Sequence, residues 1–198
     1  IDAKAQRNRI DRDEILNSTG VIMTSVAADG KERRLTLPVN NAKLEALQQL
    51  GTAQIDHVQY FAPYLSDLIP AAGNPDIQDY NELAKMLGRM DAENGELLKY
   101  ASALSAEKPE TMQDALHLAQ NLDCYERISG SLYDYGIKLL QEQFDLDDEC
   151  ISELEEYTDF ARYGQACAES NGFVQTEFGQ VRRIAQSLEQ AHSNEMTL

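Results

Sequence analysis

An α+β chain built from three small modules is what this sequence predicts, and three observations carry that expectation. Apolar and β-branched residues form strand-like runs between residues 20 and 61 and again close to the C-terminus, whereas the middle repeats its apolar residues at helical spacing. Pro63, Pro70, Gly73 and Pro75 place a boundary near residue 74. At 198 residues and 42% hydrophobic content, the chain has enough apolar material for real cores, which separates it from disordered acidic proteins.

Taken in order, residues 1–19 are polar and mixed in charge, so they read as an arm. Residues 20–26 (GVIMTSV) and 33–37 (RRLTL), joined by Ala28, Asp29 and Gly30, predict a hairpin that Pro38 ends. Asn40 or Asn41 caps a short helix carrying Leu44, Leu47 and Leu50, which stops at Gly51, and residues 55–61 (IDHVQYF) follow as a strand. These form an N-terminal α+β module over 20–74. A helical module over 75–121 follows, with Ile77, Tyr80, Leu83, Met86 and Leu87 on one stripe, Leu97, Leu98, Ala101 and Leu104 on the next, and Thr111 capping a third run through Met112, Ala115, Leu116 and Ala119. The C-terminal module over 122–183 starts with a strand at 122–129. Ser131 then caps a helix through Leu140, and an acidic helix follows with Asp145 to Asp148 at its N-terminus and Ile151, Leu154 and Tyr157 as its stripe. A helix over 159–168 leads to a closing hairpin of 172–178 and 180–184, and residues 184–198 read as a polar tail.

Charge is the sharpest feature. The net charge is −17, and residues 35–181 hold 26 acids against 8 bases, a net −18. Between Lys138 and Arg162 there are nine carboxylates and no base; from Leu44 to Ala84, 41 residues pass without Lys or Arg. A solvated surface normally intersperses opposite charges at i±4, so one sign concentrated this way is a field presented to a basic partner. It repels nucleic acid and anionic lipid, so neither is expected as a direct ligand. Carboxylates one helical turn apart lie about 5–6 Å from each other, the same order as successive phosphates of a DNA strand. The residues expected to stand in for phosphates are Asp145, Asp147, Asp148, Glu149, Glu153, Glu155, Glu156 and Asp159, with Glu45, Asp67, Asp76, Asp79 and Glu82 extending the track.

Other chemistry finds little support. Asp145, Asp147, Glu149, Glu153 and Glu156 fall at positions 1, 3, 5, 9 and 12 of an EF-hand loop, but Cys150 occupies the place where that loop needs Gly. His57, His117 and His192 lack ligand spacing, and no phosphate loop, GxSxG or HExxH occurs. Catalytic, cofactor and metal residues are therefore expected to be none, and the chain is expected not to be an enzyme. Cys124, Cys150 and Cys167 are widely spaced and read as reduced core thiols. No membrane-spanning run or signal-peptide pattern is seen, and the chain opens on Ile, as either a trimmed chain or a piece of a longer protein would; the expected location is the cytoplasm.

The run EEYTDFARYGQACAESNGFVQTEFG resembles the C-terminal signature of ArdA-type antirestriction proteins: an acidic helix, a Tyr-Gly element and an Asn-Gly-Phe hairpin. RRLTLPVNNAKLEALQQLG resembles the family's first strand-Pro-helix unit, and IQDYNELAKMLGRMD the start of its central helical module, so the likeness spans roughly 20–183. The arm before Gly20 and the tail after Ile184 depart from the pattern. The resemblance implies an elongated homodimer of three-module chains, carried by a conjugative element, that mimics bent duplex DNA and occupies the DNA channel of a Type I restriction-modification enzyme. The alternatives are an acidic adaptor for some other basic protein and a calcium-binding regulator. Tyr157, Phe160, Tyr163, Phe173 and Phe178 are expected either to anchor the dimer or to fill a small core.

Overall fold

The computed structural model describes residues 21–26, 32–49, 54–90 and 95–184. The arm, the turn at 28–30 and the tail beyond 184 lie outside the described residues. The fold is mixed α+β, with eight α-helices and two three-stranded antiparallel sheets among the described residues. These residues cluster into two compact units. One comprises the chain up to Leu97 together with Lys108–Gln120, the other Leu98–Glu107 together with the chain from Asn121 on, so the helical stretch expected as a middle module is divided between them.

In the first unit β1 (Val21–Val26) is the central strand, pairing with β2 (Glu32–Leu37) from Val21↔Leu37 to Val26↔Glu32 and with β3 (Gln54–Tyr60) on its other side. The expected hairpin and third strand are both present. Leu35 and Leu37 are buried while Arg34 and Thr36 are exposed, the alternation a half-buried strand requires. Between β2 and β3 runs α1 (Asn41–Gln49), whose cap is Asn40: its Oδ1 accepts the Lys43 N–H at 2.9 Å. After β3 comes the single turn α2 (Leu65–Leu68).

The next helix, α3 (Ile77–Leu87), opens with a capping box in which Asp76 accepts from Gln78 N and Asp79 N while Asp79 accepts from Asp76 N. It buries Ile77, Tyr80, Leu83, Ala84 and Leu87 and packs on β1, β2 and α5 (Met112–Gln120). Asn81 interrupts that apolar face. Its amide is fully buried and spans one residue's backbone, accepting from Val39 N at 2.7 Å and donating to Val39 O at 3.3 Å. Those two bonds fasten α3 to the chain leaving β2, because an unpaired peptide group there would cost more than the bonds return elsewhere. Thr111 caps α5 as expected, exchanging bonds with Asp114. Between these two helices in sequence lies α4 (Glu96–Glu107), with Glu96 and Leu97 in the first unit and the rest in the second; Leu98, expected on its buried stripe, is exposed.

The second unit departs from expectation at its start. Residues 122–129 form a 3-10 turn (Leu122–Cys124) and a short strand β4 (Tyr125–Arg127) rather than one strand, with Tyr125 to Arg127 in register against Arg183 to Val181 of β6 (Gly179–Arg183). The closing hairpin is present, with β5 (Val174–Thr176) on the far side of β6 and Thr176 opposite Gly179. Gly179 takes φ +114, a conformation that L side chains avoid, and a Cβ there would meet the Arg127 guanidinium. Arg127 Nε and Ser102 Oγ both donate to Phe178 O, at 2.9 and 3.1 Å, which fixes the hairpin turn.

Candidate functional site

Three consecutive helices carry the acidic segment, and Ser131 starts the first of them. It forms a capping box with Asp134 at the head of α6 (Leu132–Phe144), which runs four residues past its expected end. The helix stops where Asp145 turns left-handed at φ 54, with Leu146 N closing on Gln141 O at 3.3 Å; aspartate tolerates that conformation better than most residues. Asp147 is then the cap of α7 (Asp148–Leu154), accepting from Cys150 N at 2.8 Å, and Asp159 caps α8 (Phe160–Ser170) through Arg162 N at 3.0 Å. Asp145 therefore closes one helix instead of opening the next. The expected stripe of Ile151, Leu154 and Tyr157 also breaks: α7 ends at Leu154, so Ile151 is buried, Leu154 half-buried and Tyr157 exposed in the turn beyond.

Two glycines set the spacing of the pair α6 and α8. A Cβ on Gly136 would lie 2.3 Å from Phe160 O, and one on Gly164 would lie 2.0 Å from Leu132 O. The helices thus cross backbone on backbone, and Gly164 of the Tyr-Gly element is a packing residue. Around the crossing Phe160 is buried against Tyr133 edge-on at 5.6 Å, while Ile128, Ala168 and Phe173 form a core cluster with Leu132 and Tyr135. Of the five C-terminal aromatics, Phe160 and Phe173 are core residues, Tyr163 and Phe178 are half-buried, and Tyr157 stands free.

The thirteen carboxylates divide between the two units. In the second unit Asp145, Asp147, Asp148, Glu149, Glu153, Glu155, Glu156 and Asp159 are all exposed. In the first, Glu45, Asp67 and Asp76 are exposed, whereas Asp79 and Glu82 are half-buried. Several have local work. Asp76 and Asp79 share the α3 capping box, Asp79 also accepts from Gln113 Nε2, and Glu82 is neutralised by Lys85 Nζ at 2.6 Å. Asp148 accepts from Gln141 Nε2 at 2.8 Å, and Glu155 accepts from the Tyr133 hydroxyl. Asp147, as a cap, has its carboxyl held below the usual range, chiefly by the Cys150 N–H. Asp145, Glu149, Glu153 and Glu156 make no side-chain hydrogen bond or ion pair among the described residues.

Three of the second unit's four arginines lie on its sheet, and the fourth, Arg162, is exposed on α8. Arg127, Arg182 and Arg183 all lie on β4 and β6: Arg182 pairs with Glu126 at 2.6 Å and stacks on Phe173 at 4.7 Å, and Arg183 lies 6.0 Å from the Tyr125 ring. The carboxylates between 142 and 159 sit on the helical part, where Lys138, paired with Glu142, neutralises one of them.

No family model, curated protein or solved structure matches this chain. Its chemistry is therefore read from the residues alone. The EF-hand reading fails, because residues 148–154 are helical where a calcium loop must wrap its ion, and among the described residues no three His, Cys, Asp or Glu side chains converge as ligands. The thiols are not core residues: Cys150 is exposed, Cys124 and Cys167 half-buried, and Asp147 pushes the Cys150 thiol up, disfavouring the nucleophilic form. An open groove of about 450 Å³ between α6 and α8 is lined by Leu139, Glu142, Gln143, Tyr163, Ala166, Cys167, Ser170 and Asn171, and no histidine, lysine or arginine joins them. It pairs no nucleophile with a base. Among the described residues no helix is long and apolar enough to cross a membrane.

Sequence reasoning missed the glycine crossing, the Asn81 clamp and the exposure of Tyr157. Gly136 and Gly164, each inside a helical pattern, were the available signal for the crossing, because a mid-helix glycine costs about 1 kcal/mol against alanine and needs a packing reason.

Proposed function

We propose that this chain is an antirestriction protein of the ArdA type, which imitates duplex DNA with its carboxylates and blocks the DNA-binding channel of a Type I restriction-modification enzyme. One observation carries the reading: eleven of the thirteen carboxylates are exposed, and those of the second unit stand on helices, their caps and the turns between them, in a stretch from Glu142 to Asp159 that holds no base of its own. An exposed acidic stretch that holds no base keeps its field for a partner, which is what competition with a polyanion demands. The resemblance in three ordered sequence segments supplies the target class and the homodimer of the proposal.

The test is binding to a purified Type I methyltransferase core with and without duplex DNA. Saturating duplex is expected to displace the protein, and raising salt from 50 to 200 mM to weaken binding more than about tenfold as counterions compete. Binding that persists unchanged in saturating duplex would defeat mimicry and favour a docking surface for some other basic protein.

A further inference from the structure

We infer that Tyr157 is a pre-set aromatic anchor for an arginine of the basic partner, so that the acidic surface selects guanidinium over ammonium side chains. The inference rests on the reading of this surface as a basic-protein interface and adds which cation it prefers and which residue does the choosing.

Tyr157 is 83% exposed, and its ring and hydroxyl have no partner among the described residues. Its backbone is nevertheless fixed. Tyr157 N donates to Leu154 O at 2.9 Å, Phe160 N to Thr158 O at 3.1 Å, and Asp159 caps the following helix. Beside it, the Tyr133 hydroxyl holds Glu155. The turn thus keeps a large apolar ring mostly in water. Tyrosine rings are common centres of interface energy, because they bury a large area with few rotatable bonds.

The surroundings say what covers the ring. Glu153, Glu155, Glu156 and Asp159 are all exposed and lie within four residues of Tyr157. A cation drawn to them meets the π face of the ring, and two geometries compete there. A guanidinium lies flat on the ring while its edge donates to two carboxylate oxygens; an ammonium is a compact, strongly hydrated charge that does neither well. The combination of ring and flanking carboxylates fits an arginine-bearing surface.

The experiment measures binding of the full chain to poly-L-arginine and poly-L-lysine of equal length at one salt concentration, for the natural protein, Tyr157→Ala and Tyr157→Phe. Tyr157→Ala is expected to reduce the arginine-over-lysine preference about two- to five-fold, leaving lysine binding nearly unchanged. Tyr157→Phe should keep the preference, since the ring face is retained. An unchanged ratio in Tyr157→Ala overturns the inference, as does loss of the ratio in Tyr157→Phe, which would put the contact at the hydroxyl. Circular dichroism confirms that both variants are folded. Neither DNA nor methyltransferase is present, so failure here leaves DNA competition standing, and failure of that competition leaves this preference intact.

Discussion

Asn81 shows how much one side chain decides. Its amide answers both polar groups of Val39 in a site without water access, so Asn81→Leu, though better matched to its apolar neighbours, strands a buried N–H and a buried C=O. The expected loss is about 2–4 kcal/mol, read as a lower urea midpoint; a variant as stable as the natural protein would show that the clamp is dispensable. Asp147 acts through its charge. Its pKa in the folded protein lies below that of the unfolded chain, so its contribution is fully present above about pH 4 and is lost as pH falls through the folded value. Asp114 and Asp134, lowered chiefly by Thr111 and Ser131, follow the same course. Asparagine caps without titrating, so Asp147→Asn should flatten the acid limb of a stability-against-pH curve and leave pH 7 nearly unchanged. Coincident acid limbs would refute that role. The caps were legible because Ser131 and Thr111 precede apolar runs with an acid three residues on; Asn81 was not, since nothing local marks an amide whose partner lies 42 residues away.

Among the elements, α6 and α8 carry the clearest expectation. Alanine for a mid-helix glycine normally gains about 1 kcal/mol, but a Cβ at 136 or 164 collides with a backbone carbonyl that cannot turn aside. Overpacking should win, so Gly136→Ala and Gly164→Ala each lower stability, by about 1–3 kcal/mol in thermal unfolding. Equal or higher stability would mean that the helices part without cost. In the acidic segment, the carboxylates without internal partners separate binding from folding. Changing Asp145 to Asn and Glu149, Glu153 and Glu156 to Gln should weaken partner binding several-fold, while the urea midpoint stays or rises as like charges are removed. Undiminished binding would move the interface elsewhere. Periodicity located most helices and both sheets, because apolar stripes register burial directly. It misjudged the ends of α6 and α7, where Asp145 in a left-handed turn decided the break and no apolar pattern records that choice.

At the scale of the whole molecule the −17 charge opposes any self-association and favours any basic partner. The proposed homodimer and the proposed partner complex should therefore answer salt with opposite signs: added salt screens repulsion between two acidic chains and tightens the dimer, yet loosens the hold on a basic groove. Sedimentation at low and high salt, run beside the binding titration, checks both. A monomer throughout at micromolar concentration removes the dimer from the proposal. The charge and the α+β class were open to inspection from the sequence, being sums over many residues. The division into two units was not, because α4 reads as one uninterrupted helix and only packing assigns Leu97 and Leu98 to different units.

The crossing at Gly136 and Gly164 also determines which substitutions this surface tolerates. Carboxylates are interchangeable when only their summed field matters, and a glutamate lost at one position is replaceable by one gained a turn away. A backbone contact has no such redundancy, since every other amino acid adds the atom that the contact excludes. In a library randomised over 149, 153 and 156 selected for function, survivors should be many and varied in sequence. The same selection over 136 and 164 should return glycine at both, so the least replaceable residues of an acidic surface would be two that carry no charge at all.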